Sequence, residues 1–128
     1  MGESTPKQFL ELDGLPLVIF TLRRLAACAE ISEFLIATLA EESDALTKRV
    51  AQEKLGRPVR VVVGGGTRQE SVGKALAAVG ADVEIVLVHD AVRPLVTREQ
   101  TERAIVAARE HGAAIVGIPA LDTVKEVK

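Results

Sequence analysis

The chain is 128 residues long, 48% hydrophobic and 27% charged, which suits one globular domain of roughly 100–200 residues and excludes disordered or collagen-like architectures. Sixteen basic against eighteen acidic residues leave a net charge of −2, which argues against a chain that coats nucleic acid. Aromatics make up only 2%, with no Trp or Tyr, which argues against base-stacking platforms and aromatic cages.

A loop opens the chain. Pro16 suits the first turn of a helix running to about Ala27. The run from Phe34 to Leu39 is then expected as a strand, and a weaker, more charged helix from Ser43 to Leu55 ends at Gly56 and Pro58. Val59–Val63 is the second expected strand. Val72, Ala75, Leu76 and Val79 fall at i, i+3, i+4 and i+7, one stripe of a helix. Ile85–His89 is the third expected strand. Thr97 with Gln100 reads as a capping box opening a helix that Gly112 closes, and Ala114–Ile118 is the last strand.

The four strand segments are short, β-branched and apolar on both faces, as strands of parallel sheets are. Their alternation with helices predicts an α/β fold, a doubly wound, mostly parallel Rossmann-like sheet forming one domain over residues 1–128. No strand precedes the first helix, so the sheet is expected to be incomplete. In such sheets the first strand is central. Without it, Phe34–Leu39 and Ile85–His89 would lie about 10 Å apart, twice the usual strand spacing of about 4.8 Å. Both would carry unpaired backbone groups, and the 128-residue chain is not expected to be a stable monomer.

No apolar run approaches the length of about 18 residues that a membrane span needs, and no charged-then-apolar leader is visible. Cys28 is the single cysteine. It has no internal disulfide partner and no CxxC spacing for zinc, and a cytoplasmic setting is expected. Beside alanines at a helix end, it reads as packing.

Ligands of doubly wound sheets gather beyond the carboxyl ends of the strands. Gly64-Gly65-Gly66-Thr67-Arg68-Gln69-Glu70-Ser71 follows one such end. Its glycines allow close backbone approach to a flat or phosphorylated ligand, and Thr67, Arg68 and Ser71 offer donors. The same spacing suits a flexible turn with Ser71 capping the next helix. His89-Asp90-Ala91-Val92-Arg93-Pro94 follows another strand. An acid and an arginine three apart can be a metal or ligand carboxylate with a phosphate-binding partner, or can form a structural ion pair at a turn that Pro94 stiffens. His89 reads as a hydrogen-bonded core residue. Pro6-Lys7-Gln8-Phe9-Leu10 and Asp122-Thr123-Val124-Lys125 read, by spacing alone, as solvated loop and polar turn. Glu41-Glu42 and Arg23-Arg24 read as solvated helix surface.

These four segments together resemble the 2-C-methyl-D-erythritol 4-phosphate cytidylyltransferases of the non-mevalonate isoprenoid pathway. Pro6–Leu10 followed by Gly14-Leu15-Pro16-Leu17 is similar to that family's PKQ(F/Y)L…GxP(L/I) segment. Gly64-Gly65 through Arg68-Gln69-Glu70-Ser71-Val72 resembles its GGxxRQxSV turn, Val88–Pro94 its VHDAxRP strand end, and Pro119 through Lys125 its PxxDT(I/V)K segment. The segments stand in the family's order. Ribitol-5-phosphate cytidylyltransferases share parts of the same motifs, and a non-catalytic α/β binding module is the alternative from another class.

The resemblance implies a fold of the nucleotidyltransferase type and CMP transfer from CTP to methylerythritol phosphate, with release of pyrophosphate. It implies that Lys7 stabilises the transition state, that Gly65, Gly66 and Ser71 hold the cytosine, and that Ala91 lies against the ribose. Asp90 and Arg93 would bind the acceptor, and Thr123 would reach it from the partner subunit of a homodimer. Arg68 would brace its turn. Mg2+ would bridge the CTP phosphates, with no protein ligand nominated. Neither nucleic acid nor membrane is implied as a partner. The resemblance covers roughly the middle half of a family member. The family's glycine-rich phosphate loop, with its arginine, and its later β-arm lie outside it.

Overall fold

A computed structural model describes residues 10–119. Its elements begin with a tight hairpin, β1 (Glu11–Leu12) paired antiparallel with β2 (Leu15–Pro16). Asp13 and Gly14 both have positive φ, 53° and 76°, as a two-residue turn of the primed type requires at both central positions. The segment expected as plain loop therefore has structure, and Asp13-Gly14 is the sequence signal for it.

Helix α1 (Leu17–Ala26) follows directly, with Pro16 as its N-cap. Strand β3 (Phe34–Thr38), helix α2 (Ala40–Ala51) and strand β4 (Val59–Val63) form a parallel βαβ unit in the register Phe34↔Val59 to Thr38↔Val63. Helix α2 starts three residues earlier than Ser43. Glu41 and Glu42 occupy its first turn and Lys48 and Arg49 its last, which is the polarity that the helix dipole favours. Helix α3 (Arg68–Ala77) is capped by Thr67, whose side chain accepts from the Glu70 N–H. Helix α4 (Arg98–His111) opens with the Thr97–Gln100 capping box and closes at left-handed Gly112.

The core lies between the helices and the β3–β4 pair. Val18, Ile19 and Leu22 of α1 pack with Phe34, Leu46 and Val50. Cys28 is fully buried and free of any disulfide. Two arginines clamp one inward carboxylate, Arg23 and Arg49 each approaching Glu53 at 2.7 Å. Arg24 donates to the Val96 carbonyl at 3.2 Å, and Glu42 accepts from the Thr38 hydroxyl at 2.9 Å. Arg23 and Arg24 lie on the exposed helix surface, as expected, and there tie elements together, as does the half-buried Glu42.

Two expected strands are not strands here. Ile85–His89 and Ala114–Ile118 enter no ladder among the described residues, and the sheet is β3 beside β4 alone. The reason is physical. A strand exists only with a partner edge, and neither segment meets one. Phe34–Thr38 does not hydrogen-bond to Ile85–His89, which agrees with the gap expected between them. Ile115, Val116 and Ile118 are largely exposed.

Candidate active site

Two turns meet at one end of the β3–β4 pair, one following β4 and one following residues 85–89. Beyond β4, each N–H of the glycine turn has an internal partner: Gly64 donates to the Thr38 carbonyl at 2.8 Å, Gly65 to Ser71 Oγ at 3.0 Å and Gly66 to Glu70 Oε2 at 2.7 Å. Ser71 Oγ in turn donates to the Thr67 carbonyl at 2.9 Å. Ser71 therefore folds the turn back onto α3, while the cap itself is Thr67. Lys74 Nζ holds the Gly64 carbonyl at 2.8 Å. A β-carbon at Gly64 would stand 2.7 Å from Ser71 Oγ, and one at Gly65 would stand 2.6 Å from Glu70 Oε2. Both glycines are required by close approach rather than by unusual φ.

Beyond residues 85–89, Asp90 receives two guanidinium groups. Arg93 Nε lies 3.0 Å from Oδ2 within the turn, and Arg68 Nη2 lies 2.9 Å from Oδ1 from across the sheet end. His89 Nε2 bonds the Arg93 carbonyl at 3.0 Å. His89 is exposed, which corrects its expected place in the core: the segment that carries it is not enclosed by neighbouring strands. The Ala91 carbonyl accepts from the buried Thr21 hydroxyl at 2.7 Å. Thr21 interrupts the apolar stripe of α1, and a polar group on a buried stripe needs such a partner.

Gly65, Ser71, Asp90 and Ala91 consequently line one cleft of about 340 Å³, with Arg68 across it and Thr38 and Ile36 at its floor. Arg93 reaches the same carboxylate from its rim. Lys7 and Thr123 lie outside the described residues. Sequence spacing did not reveal Arg68 as the bridge between the two turns, since 22 residues separate it from its partner. Thr21 and Lys74 were missed as well.

The hydrogen bond from Arg68, followed by the charges of Arg68, Arg93 and His89, holds the Asp90 carboxyl below the usual carboxylate range against an opposing effect of burial. Its contribution to stability is complete above the unfolded value near 3.9 and is lost as pH falls through the lowered folded value. An NMR titration of Asp90 should show this depression, and Arg68→Gln should return the carboxyl toward the ordinary range. Ordinary titration with Arg68 intact would contradict the clamp.

Among the described residues no three His, Cys, Asp or Glu side chains converge as a metal cage. Among the described residues the one carboxylate lining the cleft, Asp90, is already taken by two arginines. That donor set fits a cation carried on ligand oxygens better than one held by protein.

A cleft at the carboxyl ends of parallel strands, edged by a glycine turn and an arginine-clamped acid, stands where ligands of open α/β domains bind. The chain matches the family model described as IspD, 2-C-methyl-D-erythritol 4-phosphate cytidylyltransferase, over residues 1–128. It belongs to that family. A 2-C-methyl-D-erythritol 4-phosphate cytidylyltransferase of Acidobacterium capsulatum is 48% identical over 124 residues, covering 96% of this chain and 52% of that protein. Its namesake in Solibacter usitatus is 47% identical over 121 residues, covering 94% and 50%. The crystal structure of 4-diphosphocytidyl-2C-methyl-D-erythritol synthase from Anaerococcus prevotii superposes with a TM-score of 0.87 at 28% identity, over 94% of this chain and 54% of that one. The chain thus spans about half the length of the relatives it matches. Among the described residues no helix is long and apolar enough to cross a membrane.

Proposed function

We propose that these residues serve CMP transfer from CTP to 2-C-methyl-D-erythritol 4-phosphate. The observation that carries the reading is the 2.9 Å Arg68–Asp90 bridge, which joins the glycine turn and the acceptor-side turn at one cleft. In the reaction an acceptor phosphate oxygen attacks the α-phosphorus of CTP. The bond to the β-phosphate breaks, and pyrophosphate leaves with its electron pair. Attack brings anion to anion, so positioned cations and donors do most of the work.

Gly65, Gly66 and Ser71 read the cytosine edge through backbone amides and carbonyls once the internal bonds to Ser71 and Glu70 exchange for the base. Ala91 lies against the ribose. Asp90 accepts from hydroxyls of the acceptor, and Arg93 meets its phosphate. Lys7 stabilises the charge growing at the α-phosphorus, and Thr123 reaches the acceptor from the partner of a homodimer. Mg2+ would enter with CTP, with no protein ligand nominated, and would supply part of the neutralisation of the triphosphate charge. The lone, buried Cys28 suits a cytoplasmic setting.

The test is a chimera in which residues 1–128 replace the matching stretch of the Acidobacterium capsulatum relative. It should transfer CMP to methylerythritol phosphate and much less to ribitol 5-phosphate. Lys7→Ala in the chimera should lower kcat more than about tenfold with KM less affected, because the ammonium acts mainly on the transition state. A folded but inactive chimera, a preference for ribitol 5-phosphate, or a pure KM effect of Lys7→Ala would overturn the reading.

A further inference from the structure

The turn after β4 holds three consecutive glycines, and glycine accepts either sense of a peptide plane at little steric cost. A half-turn of the Gly64–Gly65 plane exchanges an N–H for a carbonyl at the site. Its sense must therefore be set by partners. Among the described residues, the side chains that bond this glycine backbone are Glu70, Ser71 and Lys74, all from α3.

The three differ in what they can exchange. Glu70 Oε2 takes the Gly66 N–H at 2.7 Å, and an ionised carboxylate only accepts. It sets the Gly65–Gly66 plane. The Gly64–Gly65 plane is gripped at both ends, by Ser71 Oγ on the Gly65 N–H at 3.0 Å and by Lys74 Nζ on the Gly64 carbonyl at 2.8 Å. Ser71 does not decide between the two senses. A hydroxyl accepts from an N–H or donates to a carbonyl. This one gives its single proton to the Thr67 carbonyl at 2.9 Å, and the same proton would serve a flipped Gly64 carbonyl. An ammonium only donates. Of the two grips, then, only Lys74 bonds one sense and loses its bond in the other.

The direction of the lysine supports this role. A cation in the last turn of a helix ordinarily faces that helix's own C-terminal carbonyls. Lys74 instead runs back along α3, as long helical side chains do, to a carbonyl ten residues earlier and outside the helix. Ser71 and Lys74 stand three apart on one helix face, which brings both to the same peptide.

We propose that Lys74 is a positioning residue for base selection. Its ammonium fixes the Gly64–Gly65 peptide in one sense, and with it the pattern of donors and acceptors offered to the base. The proposal rests on the cytidine reading given above. Cytosine presents an acceptor at N3 and a donor at N4, and uracil presents the reverse. A plane free to flip offers both patterns by turns and discriminates less.

The experiment compares the 128-residue chain with Lys74→Met, which keeps the stem and loses the donor, and with Lys74→Arg, which keeps a donor-only cation. Without nucleotide, amide exchange at Gly65 should quicken more than about fivefold in Lys74→Met and stay near wild type in Lys74→Arg. In calorimetric titrations the preference for CTP over UTP should fall about tenfold in Lys74→Met, and Lys74→Arg should keep it to within about threefold. A cation that only attracts phosphate would weaken CTP and UTP equally and leave the Gly65 amide unchanged. That result, or a wild-type preference in Lys74→Met, would overturn the role of Lys74 and leave the cytidine reading standing. A wild-type chain that binds CTP and UTP alike would overturn the cytidine reading, and the selection built on it as well.

Discussion

Ile19→Ala destabilises the chain by about 2–5 kcal/mol, whereas Val88→Ala changes stability by no more than about 0.5 kcal/mol. Ile19 is fully buried, on the face of α1 that packs with Val18, Leu22, Phe34, Leu46 and Val50. Truncation there removes transfer energy and leaves a void that surrounding side chains close only in part. Val88 belongs to the most apolar run in the sequence, yet it is 55% exposed, so truncation removes little that folding buries. For a domain of typical stability, about 5–15 kcal/mol, the first loss is a large fraction of the whole. Urea midpoints at constant m-value measure both effects. Similar losses from the two variants would mean that residues 85–89 are packed, contrary to the fold described.

Gly65→Ala should weaken nucleotide binding more than about tenfold with little change in the unfolding midpoint. The added β-carbon meets Glu70 Cβ and lies 2.6 Å from Glu70 Oε2. Its first obstacle is thus a β-carbon fixed to α3, not the loose end of a side chain. The turn must shift, and with it the Gly65–Ser71 and Gly66–Glu70 bonds that set its shape. No residue of this turn belongs to the buried core cluster. Gly73→Ala is the matched control, because a β-carbon there meets nothing within 4 Å. In mid-helix it should stabilise by roughly 0.5–1 kcal/mol and leave binding unchanged. Titration of both variants with CTP, followed by calorimetry, separates a local defect of the turn from general damage.

What the sequence makes legible is mostly local. The Thr97–Gln100 box and Gly112 bound α4 because capping is decided within a few residues, and the same holds for Val59–Val63 as an apolar β-branched run. The hairpin at Asp13-Gly14 was equally local, but its strands are two residues each and carry no apolar alternation to flag them. Ile85–His89 has the composition of a buried strand without the partner that would make it one, and pairing is decided far along the chain. The candidate site divides in the same way. Its glycine turn and its Asp90–Arg93 pair can be read from spacing. The reach of Arg68 to Asp90 and of Thr21 to Ala91, across 22 and 70 residues, exists only once the chain has folded.

The most direct measurement is a CTP titration of the 128-residue chain monitored by backbone amide NMR, with UTP in parallel. A cytosine read by the glycine turn predicts saturable shifts at Gly65, Gly66, Ser71 and Ala91 that are larger with CTP than with UTP at equal concentration, while the exposed face of α2 stays still. Identical responses to the two nucleotides, or shifts that leave the Gly64–Gly66 turn untouched, would contradict the assignment of this cleft to a cytidine nucleotide.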